Sequence, residues 1–272
     1  MKPVKLCLVS TNCPVGSWDE NMGNCRALIH TAAEKKADIV VFPEMNLTGY
    51  ATGCKIAHYA RTIDNCLIQS FQDMSDQLNL AILAGLAEKA DTAKKTFASH
   101  LVFIPGTVPG KYQKLHIAPS EQEIFTPGYT IPVFAHAGIT FGIQLCYDAH
   151  FPELSTAMAM QGADLIVLPH ASPRGTPEEK HKSWMRHLPA RAFDNGVFIA
   201  AVNQAGDNGA GLDFPGLSLV IGPDGYIVSR SMASTNHLHF VDLDSALLCH
   251  VRSHRMRYFL PSRRNDLFPV NV

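Results

Sequence analysis

Apolar stretches recur along the chain at short intervals, broken by polar turns. Residues 4–10 are mostly apolar and predict a first strand, while 21–36 set Ala, Leu and Ile among charges at helical spacing. DIVVF at 38–42 is a β-branched run that stops at Pro43. A helix over 66–78 leads to strands at 81–86 and 100–104, and a turn at Pro109-Gly110 leads into 111–116. Beyond it lies an irregular loop with Pro119, Pro127 and Gly128. The rhythm then returns with a strand at 139–145, a helix over 152–161 opened by Pro152, and a strand at 164–168 broken by Pro169. Helix formers fill 178–195, where Pro189 kinks the helix or starts a second one, and 197–202 is another strand. Segments 217–221 and 226–229 flank Gly-Pro-Asp-Gly, a hairpin signal; 237–241 is the last strand, and the tail from Ser245 is partly helical. No linker, repeat or low-complexity tract interrupts this order. The chain therefore reads as one domain, 1–272, of the α/β class with helices covering sheet faces.

Composition narrows the function classes. At 272 residues the chain can bury a large core, and a net charge of −1 argues against nucleic acid as a partner. The arginines between 250 and 264 are balanced by acids elsewhere, so ion pairs within or between subunits are expected of them. No apolar run is long enough to span a bilayer, and the apolar part of the N-terminus is too short for a secretion signal. Seven cysteines, at 7, 13, 25, 54, 66, 146 and 249, are odd in number and form no CxxC pair. Reduced thiols in a cytoplasmic protein fit that pattern better than a disulfide framework or a zinc site.

The candidate chemistry begins at TFGIQLCYDAHFPE, residues 140–153. Cys146 stands where a strand turns toward a helix, beside free backbone N–H groups and a favourable dipole, the conditions that make a thiolate reactive. Its plainer reading is a small buried hydrophobe. Glu44 and Lys114 also stand where extended segments give way to loops, and either could be an ordinary exposed charge. Gathered at one rim, the three would make a covalent-hydrolysis site: a thiolate to attack, a carboxylate to take its proton and activate water, and an ammonium to hold the oxyanion. The backbone N–H of Tyr147 is placed to assist.

VVFPEMNLTGY at 40–50, KYQKLHIAPSEQEIFTPG at 111–128 and FGIQLCYDAHFPEL at 141–154 resemble, in order and spacing, the three signature blocks of the nitrilase superfamily of carbon–nitrogen hydrolases. The likeness continues through ADLIVLP, ARAFDNGVFIAAVNQAG and GPDGYIV. It implies a four-layer α-β-β-α sandwich that forms a homodimer or a higher homo-oligomer. It also implies Glu44 as general base, Lys114 as oxyanion stabiliser and Cys146 as nucleophile, with Glu121 rather than Glu123 as a second glutamate positioning substrate and base.

Within that resemblance, Tyr-Asp after the cysteine and Phe-Pro-Glu beyond it favour hydrolysis of a small amide or N-carbamyl compound with release of ammonia. Hydrolysis of a nitrile is the alternative, and a catalytically silent binding scaffold is a further one. His150 stands where many relatives carry arginine, which puts acid-bearing substrates in doubt. Tyr147, His170, Tyr50 and Asn203 are candidates to line the substrate pocket, and each is otherwise a loop or strand-end residue satisfying backbone groups. His170, His150 and Cys146 match no familiar zinc spacing, so neither metal nor cofactor is expected.

Overall fold

The computed structural model describes residues 3–53, 55–90, 95–233 and 236–269; Cys54 lies outside them. The first half of the chain runs β1 (Val4–Ser10), α1 (Trp18–Glu34), β2 (Ile39–Val41), α2 (Lys55–Tyr59), α3 (Asn65–Leu78), β3 (Ala81–Lys89), β4 (Thr96–Phe103), β5 (Gly110–Gln113) and β6 (Val133–His136). The second half runs β7 (Ile139–Ile143), α4 (Pro152–Met160), β8 (Leu165–His170), α5 (Pro177–Trp184), α6 (Leu188–Asn195) and β9 (Phe198–Asn203). It closes with the short pair β10 (Gly206–Asp207) and β11 (Asp213–Phe214), then β12 (Leu217–Ile221), β13 (Ile227–Met232), β14 (His237–Leu243) and α7 (Ser245–Ser253).

Two six-stranded sheets result, ordered β14-β1-β2-β3-β4-β5 and β13-β12-β9-β8-β7-β6. Each has a parallel centre, β1-β2-β3 in one and β7-β8-β9 in the other, flanked by antiparallel strands. The parallel neighbours are joined through α1 and α3 in the first sheet, and through α4 and the α5–α6 pair in the second. These strands are buried on both faces, which is why they read as continuous apolar runs. Leu6, Leu8, Ile39, Val41 and Leu83 face the second sheet and share one core with Ile143, Val167, Ala200 and Val220. Cys7, Val9, Val40 and Ile82 point the other way, against Ile29 and Ala32 of α1 and Phe71 of α3. With α4 and α6 on the outer face of the second sheet, the order of layers is α-β-β-α.

Most departures from the sequence reading lie at element ends. Helix α1 begins at Trp18, three residues early, because Asp19 and Glu20 sit in its first turn and suit the positive helix end without adding to the apolar stripe. Pro189 starts a second helix rather than kinking one. Pro169, expected to break its strand, lies inside β8. The Val167 carbonyl accepts from the Gln144 N–H, so residues of that parity turn their backbone groups toward β7. β7 has ended at Ile143, so a proline two residues beyond Val167 removes no ladder donor. β6, α2 and the β10–β11 pair are too short or too exposed to leave a periodic signal. In the tail, Arg252 pairs with Asp164 and Arg264 with Asp266.

One close approach binds β3 to the segment after β2. A Cβ at Gly85 of β3 would lie 2.7 Å from the Met45 backbone nitrogen and 2.8 Å from the buried His100 ring. Only hydrogen fits there. Gly85→Ala is therefore expected to cost about 1–3 kcal/mol by overpacking and to displace the Glu44 segment; urea unfolding and thermal melting measure it, and unchanged stability would contradict it.

Candidate active site

Glu44 lies three residues past β2, in a segment with no regular structure that borrows backbone partners from β3. Asn46 Oδ1 accepts from the Gly85 N–H at 2.7 Å, Thr48 Oγ1 accepts from the Ala87 N–H at 3.0 Å, and the Leu47 N–H donates to the Gly85 carbonyl. The loop residues of PEMNLTGY thus continue the sheet with side chains in place of backbone. On its other side, Gln204 Nε2 donates to the Glu44 carbonyl at 2.8 Å. The carboxyl is buried, and the Ala171 N–H, just past β8, donates to Oε2 at 3.1 Å.

Cys146 opens a 3-10 turn, Cys146–His150, three residues beyond the end of β7. Its φ of +45° is in the left-handed region, which costs a non-glycine residue strain and persists only where the surroundings impose it. Asp148 imposes it. Its buried carboxylate accepts from Tyr112 Oη and the Leu145 N–H through Oδ2, and from the His116 N–H and Nδ1 through Oδ1, all within 2.7–3.0 Å. Among the described residues, the N–H groups of Cys146 and Tyr147 at the head of the turn have no acceptor in the chain. They remain available to an oxygen held beside the sulfur.

Lys114 stands one residue past β5, its N–H still paired to the Ala98 carbonyl. Its side chain is wholly buried, and Nζ lies 2.9 Å from Glu44 Oε1 and 2.9 Å from Glu121 Oε2. Glu121 closes the 3-10 turn Pro119–Glu121, and its other oxygen accepts from Tyr50 Oη at 2.8 Å. Glu123 is exposed. Burial alone would push the Lys114 ammonium down, but Glu44 and Glu121 together hold it well above its ordinary range. Burial raises Glu44, assisted by Glu121 and opposed by Lys114. The Cys146 thiol is pushed up to about 12, first by burial and then by Glu44, against the opposing pull of Lys114. Acid, amine and thiol are thus close enough to set one another's protonation, and the thiol keeps its proton until the acid takes it.

The pocket candidates divide. Tyr50 is committed to Glu121, and Tyr147 is half-buried with its ring edge-on to Phe151 at 5.4 Å. His170 is buried, donates through Nδ1 to the Leu168 carbonyl and packs 4.6 Å from Trp184; burial lowers it to about 3, so it is neutral. Asn203 spends its whole amide on backbone: Oδ1 accepts from the Ser172 N–H, and Nδ2 donates to the carbonyls of Ser172 and Pro215. It tethers the 171–176 loop. His150 is exposed, with its ring 4.6 Å from that of His187. Among the described residues no group of three or more His, Cys, Asp or Glu could hold a metal ion. Sequence reasoning passed over three residues that brace the site: Asp148, Tyr112 and Gln204. The pairing of an Asp two residues after the cysteine with the tyrosine and histidine of the KYQKLH block was the signal available for the first two.

A family model described as carbon–nitrogen hydrolase matches residues 9–252. An (R)-stereoselective amidase of a Pseudomonas species is 29% identical over 208 residues, 76% of this chain and 74% of that protein. A nitrilase of Pyrococcus abyssi is 28% identical, with 97% and 99% covered. The crystal structure of an amidase from a Nesterenkonia species superposes with a TM-score of 0.81 over 98% of this chain and 95% of that one, at 24% identity; the likeness is one of fold.

This geometry predicts two outcomes. Asp148→Ala strands several buried donors, so a loss of about 3 kcal/mol is expected in urea unfolding, against little change if the turn holds itself. Burial also holds His100 and His170 down to about 3, and His187 and His239 down to about 4. Above about pH 4 these histidines bind protons only when unfolded, where they titrate near about 6.5. Their contribution is therefore complete above that pH and is lost as pH falls toward 3–4. Calorimetry should find proton uptake on unfolding at pH 5; proton release would contradict the assignment.

Proposed function

The chain belongs to the carbon–nitrogen hydrolase family, and from that we propose that it hydrolyses a small amide or N-carbamyl compound through a thioester on Cys146. One observation carries the reading: a buried ammonium, Lys114, is held at 2.9 Å by each of two buried carboxylates, next to a thiol in a strained turn.

In the first half-reaction Cys146 Sγ attacks the carbonyl carbon while Glu44 takes the thiol proton. A carboxylate raised by burial is a stronger base for this than one in water. The carbonyl oxygen becomes an oxyanion, and the Lys114 ammonium and the Tyr147 N–H are the donors that face it. Collapse of the tetrahedral adduct breaks the carbon–nitrogen bond. Glu44 returns its proton to the nitrogen, which leaves as ammonia. Water then attacks the thioester carbon, Glu44 takes its proton, and the second collapse frees the acid, or the carbamate from a carbamyl compound, while the proton returns to sulfur. Glu121 fixes Lys114 and Tyr50 and does not itself exchange a proton.

Other features support finer parts of this reading. The six described cysteines are free thiols, in keeping with a reducing, cytoplasmic location. A core shared by both sheets supports one hydrolase domain per chain. The exposed side chains of Phe193, Tyr226, Met256 and Phe259 support a homodimer, because exposed apolar surface is what a second copy would cover; the Phe193 and Phe259 rings lie 5.5 Å apart.

Cys146→Ala is expected to remove ammonia release from amides and carbamyl compounds with melting unchanged; retained hydrolysis would exclude the covalent route. Lys114→Gln and Glu44→Gln should each lower kcat by about 10²–10⁴, read in the same ammonia assay. Paired nitrile and amide substrates distinguish the nitrilase alternative, since faster turnover of the nitrile would favour it.

A further inference from the structure

The site holds a fourth charge that this mechanism leaves unused. Lys180, in α5, is buried, and its Nζ lies 2.6 Å from Ser172 Oγ. None of the ion pairs among the described residues includes it. The nearest acids in sequence, Glu178 and Glu179, are both exposed, and Glu179 Oε2 accepts from the Thr176 N–H in the cap of α5. An ammonium drawn partly out of water with one neutral hydroxyl as partner carries a cost that a negative group beside it would offset.

Its position says what that could be. Ser172 is held on both backbone groups by Asn203, and the residue before it donates its N–H to Glu44 Oε2. The loop that carries Lys180's partner is thus the loop that braces the acid. Lys180 and Cys146 each influence the other's titration, so the ammonium stands near enough for the thiol to feel its charge. Exposed Arg174, on the same loop, adds a second positive charge and presses on Lys180. Position 150, where the family resemblance leads one to look for a cation, holds a histidine whose hold on a proton is weakened by partial burial of its ring and by Arg191. Arg191 itself donates to the carbonyls of Ala149 and His150. The positive charge comes instead from α5 and the loop before it.

We propose that Lys180 seats a carboxylate of the substrate, with Ser172 as second donor and Arg174 as the charge at the rim, so that acid-bearing amides or carbamyl compounds are preferred. One ammonium and one hydroxyl match the single charge and two oxygens of a carboxylate. The inference rests on the hydrolase reading above and adds the substrate class.

The test compares malonamate, succinamate, glutaramate and N-carbamylglycine with neutral counterparts in which an isopropyl group replaces the carboxylate. In the wild-type enzyme kcat/KM for the best acid should exceed that of its counterpart by about 10–100-fold. Lys180→Met should reduce this ratio at least tenfold, chiefly through KM for the acid, and Lys180→Arg should restore most of it. Because the ratio is taken within each variant, a general loss of activity cancels. Turnover of both kinds with equal ratios in wild type and Lys180→Met would overturn the carboxylate seat and leave the hydrolase reading standing. Equal loss of kcat on both with a shifted pH profile would also overturn it, making Lys180 a positioning residue for the thiol. Ammonia release from neither kind by the wild type would remove the hydrolase reading, and the seat with it.

Discussion

A buried ammonium needs negative partners, and Lys114 has two. Glu44 and Glu121 stand on separate loops, 77 residues apart in sequence, and each reaches the same Nζ at 2.9 Å. Neither carboxylate could be buried alone without binding a proton, and the lysine could not be buried without them. The three charges therefore fix one another, and the loops that carry them are fixed in turn. Tyr50 enters through its hydrogen bond to Glu121, and its own carbonyl accepts from Asn208. A single electrostatic requirement thus couples the end of β2, the segment after β5 and the loop before β12.

The second constraint is geometric and belongs to the thiol. Parallel strands of both sheets end near one another, and Glu44, Cys146 and Ala171 each lie just past such an end, after β2, β7 and β8. Ligand chemistry tends to collect at that edge because loops and unpaired N–H groups converge there. Asp148 converts the last turn into a fixed elbow by saturating four donors from three residues. Two buried carboxylate clusters, one around Lys114 and one around Asp148, thus flank the sulfur. The first sets its protonation and the second sets its backbone.

Legibility varied with how local each signal was. Strand β1 occupies the residues its apolar run indicates, and Glu44, Lys114 and Cys146 are named by three motif blocks in order. Pro169 misled because its effect depends on whether the neighbouring strand has already ended, which no window of sequence contains. Asn203 looked like a pocket residue at a strand end and proved to be a tether for the loop across from it. Lys180 carries no local mark of its own, being one of several charges in α5, which is dense in Glu and Lys.

What the chain settled by itself is the alternation of strands and helices and the identity of the reactive side chains, because periodicity and residue chemistry are local properties. What only the tertiary structure decided is which charges are buried and which of them are answered. Burial depends on segments tens of residues away closing over a side chain. The same ammonium is ordinary in solvent, an anchor between two carboxylates at Lys114, and an unanswered charge at Lys180.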